Sequence, residues 1–279
     1  MSDEQTRFLQ ELAEDLNSRT IQLPSFPDVV ISIRTALEDP ACSSERLADV
    51  VRTDPVLVAR LLMAANSAFH NRAGIEITDL NLAISRLGFE VVRNTAVTLA
   101  VEQIFESTEH EELKDGVQKI WQTSVSLASM SFVIARNSVG VNPDNAFLCG
   151  LLHEVGKLYI LTKAASYPEL MGDEASLETV MQQWYSSVGK SIIDAWGFPP
   201  EIADSIDTEA NLNLDTNASA SLVDVVFLAR QVLDDAANLE NDDSCKVPAG
   251  RLNVSPDNFP SIQEAYELHA QSMRSSIGG

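Results

Sequence analysis

Apolar positions along this chain recur at intervals of three and four residues, and no stretch keeps up the strict alternation of a half-buried strand. Phe8, Leu9, Leu12 and Leu16 form one stripe behind a capping box of Ser2 and Gln5, which predicts an amphipathic opening helix ending near Asn17. Pro24 and Pro27 force an extended entry before Asp28, after which Val29, Ile33, Ala36 and Leu37 share a face. Ser43 suits the N-cap of ERLADVVR, with Leu47, Val50 and Val51 inward, and Asp54-Pro55 opens the apolar run VLVARLLMAANSAF. In that run Asn66 and Ser67 read as helix-end hydrogen bonders. Thr78 can cap the next helix, whose Leu80, Ile84 and Leu87 precede the glycine stop Gly88, and FEVVRNTAVTLAVEQIF returns as another.

Beyond an acidic connector, ESTEHEELKDG, the helix KIWQTSVSLASMSFVIARNSVG leads to the stretch NPDNAFLCGLLHEVGKLYIL, residues 142–161. Asn142 is a cap and Pro143 suits a first turn, so a helix is expected to start there and run on through His153. From Phe147 to Leu152 nearly every position is apolar, which leaves no face for water, so other helices must enclose the segment. Into it the sequence sets His153, Glu154 and Lys157. A lone buried histidine is more often a satisfied core residue than a ligand. The adjacent carboxylate changes that balance, because a buried Glu is costly unless paired, and Lys157 lies three residues on. A polar pocket is therefore expected. Further on, SYPELMGDEAS reads as a turn, Ser176 as a helix start, Trp196 as a core anchor and NDDSCKVPAG as a loop. Leu222, Val225, Val226, Ala229, Val232 and Leu233 read as one core-facing stripe, Ser255-Pro256 as the opening of a last helix, and His269 as exposed.

With 279 residues, 45% of them hydrophobic, the chain can bury one large core or two modest ones. No run approaches the ~20 apolar residues of a membrane span, and MSDEQTRFLQEL is too polar for a secretory signal, so a soluble, cytoplasmic protein without membrane insertion is expected. Formal net charge is −22, with fifteen acids against nine arginines in residues 1–105 and twenty-six acids against ten basic residues in 106–279. Such a surface repels a phosphate backbone and argues against nucleic acid as a partner. Three cysteines, Cys42, Cys149 and Cys245, lack metal-type spacing and read as reduced, with Cys149 a core residue. His110 among Glu109, Glu111 and Glu112 reads as a solvated face.

The words GLLHEVGKL resemble the signature GLLHDIGKL of the HD phosphohydrolases, whose His-Asp pair holds a metal ion; here the second member is Glu154. The ordered blocks LPSFP, LEDP, LADVVRTDPVLVARLLMAANSAF and AISRLG resemble the N-terminal half of the HDOD domain, a bacterial HD-related output domain. The resemblance implies an all-α array in which a helical N-terminal half packs on a modified HD-like half. Its expected organisation is an N-terminal helix over 1–20, the domain over 21–212 with halves 21–105 and 106–212, and a helical extension over 213–279. It also implies which residues stand where HD enzymes place metal ligands: Thr123 in WQTS, His153 and Glu154, Tyr185 in YSSVG, and the neighbourhood of Thr208 and Glu209 in place of a His-His pair. Lys157 is a further polar group for the pocket. The chain has four histidines, and only His153 falls between residues 111 and 268.

Metal hydrolysis needs several ligands converging and an open position for water. With the histidines replaced, the resemblance implies a non-catalytic signalling module that recognises a signalling protein or a small ligand and carries no cofactor. The frame of Trp121, Gly150, Gly156 and Trp196 is kept. The alternative is a phosphohydrolase with a divalent metal at His153 and Glu154, helped by Asp194, Asp204 or Glu209.

Overall fold

The computed structural model describes residues 3–18, 27–71, 74–107 and 111–277, and every ordered element among them is helical. In chain order these are α1 (Asp3–Ser18), α2 (Asp28–Leu37), α3 (Ser44–Val51), α4 (Pro55–Asn66), α5 (Leu80–Leu87), α6 (Phe89–Glu106), α7 (Lys114–Arg136), α8 (Pro143–Leu152), α9 (Val155–Ala164), α10 (Pro168–Met171), α11 (Glu174–Ala195), α12 (Pro200–Asp204), α13 (Thr208–Asn211), α14 (Leu222–Asp234), α15 (Asn238–Asn241), α16 (Lys246–Leu252) and α17 (Phe259–Ile277). Ser2, Pro24 and His110 lie outside the described residues. Among the described residues no helix is long and apolar enough to cross a membrane.

Local chemistry accounts for most boundaries. The Ser43 hydroxyl accepts from the Arg46 amide, Asp54 accepts from Val56 and Leu57 ahead of Pro55, and Asn142 accepts from Asp144 and Asn145 ahead of Pro143. Each such cap contributes about 1 kcal/mol. Two starts differ from the sequence reading by one to three residues. Asp79, not Thr78, caps α5, and Asp173, not Ser176, caps α11, because in each case the carboxylate reaches the orphan amide three residues on. Gly88 ends α5 at φ 84°, a conformation that a side chain would strain.

The chain divides into two compact units. One comprises residues 1–24 and 104–258, the other 25–103 and 259–279. In the second, Val30, Ile33 and Ala36 are the buried residues of α2, so its inner face is turned by one residue from the expected one. Asn66, at the end of α4, clamps the following loop: its amide donates to the Leu62 and Ile77 carbonyls at 2.9 and 2.7 Å, and its carbonyl accepts the Ile77 amide at 2.8 Å. Arg60 and Glu102 pair at 2.7 Å between α4 and α6. His269, expected exposed, is only 5% exposed. It shares a helical stripe with the buried Ile262 and Ala270 as α17 packs on α4, and its ring meets Phe69 edge-on at 5.1 Å.

The first unit is built on α7, against which α8 and α14 lie, while α9 lies against α11. Two glycines make these crossings close. A Cβ on Gly150 would sit 2.6 Å from the Leu127 carbonyl oxygen of α7, and one on Gly156 would sit 2.0 Å from the Tyr185 carbonyl oxygen of α11. Residues 241–250, read from sequence as loop, hold the end of α15 and most of α16 instead; Pro248 falls in the first turn of α16, where it removes no helical hydrogen bond. Trp196 is half-buried at the end of α11, and the last helix opens at Phe259 rather than Ser255.

Candidate functional site

The expected continuous helix through residues 142–161 is broken in the middle. Helix α8 ends at Leu152, His153 is its C-cap, and Glu154 at φ −92° and ψ 2° is the residue from which α9 departs. The break places two polar side chains at a corner enclosed by α7, α11 and α14. His153 is 0% exposed and Glu154 3%. Cys149, one turn before, is buried, and burial pushes its thiol up to about 12, which makes it an inert core group.

The Glu154 carboxylate is bound by Lys157 at 2.7 Å, the pairing expected from their spacing. Tyr185, carried to the corner by the close α9–α11 crossing, is buried, with its ring edge-on to His153 at 5.6 Å. The Lys157 ammonium stands 5.1 Å from the centre of the same ring. Thr123 is exposed on α7, outside this buried group. Asp204 is committed to Lys190 at 2.5 Å, while Asp194 and Glu209 are exposed; Thr208 is buried.

The member that sequence reasoning did not find is Arg230 on α14. Its Nη1 donates to the Tyr185 hydroxyl at 2.6 Å and lies 3.3 Å from His153 Nε2. A guanidinium can only donate, so Nε2 presents its lone pair and the proton of the neutral imidazole sits on Nδ1. Nδ1 itself makes no hydrogen bond of ordinary geometry. Burial, and then the charges of Arg230 and Lys157, push His153 down to about 3, with the nearby Ser205 main chain opposing more weakly. Burial raises the Tyr185 phenol above its ordinary value against the pull of Arg230, so it keeps its proton.

These residues do not suit a divalent metal. The His153 lone pair that would bind it faces a guanidinium, the Glu154 carboxylate is neutralised by Lys157, Tyr185 keeps its proton, and Thr123 lies exposed outside the group. Among the described residues no group of three or more His, Cys, Asp or Glu could hold a metal ion. The Arg230 guanidinium stands against the imidazole instead.

The comparisons with known proteins fall on the same frame. A family model for the HDOD domain matches residues 23–212. Among solved structures, the chain is similar to a Shewanella amazonensis SB2B protein provisionally called a metal-dependent phosphohydrolase, with a TM-score of 0.82 and 24% identity over 99% of this chain and 100% of that one. It is also similar to an HDOD domain protein of unknown function from Geobacter sulfurreducens, with a TM-score of 0.68 and 24% identity over 97% of this chain and 99% of that one. A third, from Marinobacter aquaeolei VT8, is provisionally called a signal transduction protein; its TM-score is 0.69 and identity 20% over 99% of this chain and 67% of that one. An uncharacterized protein of Treponema pallidum is 22% identical over 80% of this chain, which spans only 44% of that protein's length. At these identities the structural likenesses establish the helical fold.

Proposed function

The chain belongs to the HDOD family, and from that premise we propose that it is a non-catalytic regulatory module of bacterial signal transduction, acting by recognition on a modified HD-type scaffold. One observation carries the reading: the imidazole nitrogen that would bind a catalytic metal instead accepts from Arg230, 77 residues away in sequence. A partner signalling protein or a small ligand is what such a module reads, in the cytoplasm, and the neighbour named for signal transduction supports that assignment. The phosphohydrolase name of another neighbour draws no support from the donor set at His153.

Elemental analysis of the purified protein tests the reading. The expected result is no stoichiometric divalent metal, either as isolated or after incubation with Mn²⁺ and desalting. A stoichiometric ion that disappears in His153→Ala would overturn it.

A further inference from the structure

Arg230 is the one partner of this corner whose charge is not matched by contact. Its Nη1 serves Tyr185 and His153, both neutral, and among the described residues no carboxylate reaches ion-pair distance of the guanidinium. Glu154 contributes only at longer range, its carboxylate being held by Lys157, and the exposed Asp234 likewise acts from a distance. A half-buried guanidinium without a bound anion is unfavourable, and it is notable in a chain with 41 acidic residues and 19 basic ones. Among the described residues its remaining donors, Nε and Nη2, have no acceptor. Two parallel N–H groups on one face of a planar fork match the two oxygens of a carboxylate or phosphoryl group. Tyr185 keeps its hydroxyl proton while accepting from Nη1, so it too can donate onward.

We propose that Arg230, with Tyr185 beside it, is a binding site for the oxyanion of a small ligand, a carboxylate or a phosphoryl group. This rests on the corner being a recognition site rather than a metal centre. A small ligand fits better than a polyanion, because a chain of net charge −22 admits one negative group at a half-buried cation more readily than a string of them. The anion supplies the counter-charge that the fold withholds from Arg230, since Lys157 is already paired with Glu154.

The test is calorimetric titration of the full chain at constant ionic strength with inorganic phosphate, with acetate, and with chloride as the control. Saturable binding of phosphate or acetate is expected, the better of the two naming the ligand class, and Arg230→Gln should weaken it about tenfold or more. Arg230→Lys, which keeps the charge and loses the fork, should also weaken it, whereas Lys246→Gln, a surface cation paired with Asp243, should leave it unchanged. Thermal melts of each variant separate lost binding from lost folding. Absence of saturable binding by either anion, or equal affinity in folded Arg230→Gln or Arg230→Lys, would overturn the site. Metal content in the same preparation distinguishes the two failures: a metal-free protein that binds no anion removes this inference alone, and a metal-loaded one removes the proposed function as well.

Discussion

Helix α14 engages two arginines, and they are treated differently. Arg251, reaching over from α16, gives Nη1 to both oxygens of Asp224 at 2.8 and 3.0 Å and Nη2 to the carbonyls of Asn213 and Asp215. Asp224 in turn accepts from the amide and hydroxyl of Ser221, closing a capping box. That cation and its anion are both deeply buried and bound to each other, both Nη nitrogens of the arginine being committed while its Nε has no partner among the described residues, so the group is a staple that fixes the segment before α14. Arg230, two turns further along the same helix, has a phenol and an imidazole as its acceptors and two donors to spare. The contrast teaches that a carboxylate in contact, not residue type, separates a structural arginine from one kept ready for something else.

The comparison breaks most visibly at Arg251. Replacing it with Met leaves Asp224 charged and buried without its cation, and a loss of about 3–5 kcal/mol in denaturant unfolding is expected. A loss under about 1 kcal/mol would mean the staple is less committed than its bonds indicate.

Next in size is the pH response of the corner beside Arg230. His153 titrates near 3 in the fold and near 6.5 when unfolded, so between these values the unfolded chain binds the extra proton. Stability should therefore fall as pH drops from about 6.5 toward 3, with a slope up to about 1.4 kcal/mol per pH unit from this group, and be flat with respect to it above 7. His153→Gln should remove that part of the slope, measured as unfolding free energy against pH for both proteins.

Arg230→Met should change stability by no more than about 1 kcal/mol in either direction, since it removes a half-buried cation with no bound anion while keeping the packing stem. A loss as large as that of Arg251→Met would abolish the distinction between the two arginines. Smallest of all, Glu154→Gln keeps the shape and a hydrogen-bonding oxygen for Lys157, and a mild loss of about 1 kcal/mol or less is expected, with recognition intact. Lost recognition at an unchanged melting temperature would move Glu154 from support to contact.

Much of this was readable in the chain, and the misses share a cause. Caps such as Ser43, Asp54 and Asn142 act on amides two or three residues away, and the Glu154–Lys157 pair is one helical turn long, so local sequence holds the information. Arg230 joins His153 and Tyr185 only through the tertiary packing of α14. Its signal was a single arginine directly after Ala229 on a helix whose neighbouring positions are buried, hidden by the apolar stripe around it. The break at His153 was missed because GLLHEVGKL contains no proline and its glycines serve helix crossings instead of a turn. His269 is buried through its register with Ile262 and Ala270, which a lone polar side chain near the end of the chain hides.

The missing Cβ at Gly156 has a mechanical corollary. With main chain resting on main chain and Gly189 facing it, α9 and α11 have no compressible spacer between them at the level of Tyr185. A side chain added at Gly156 would therefore drive the two helices apart before any rotamer could relax, so the place of Tyr185 beside His153 is set by the absence of one methyl group.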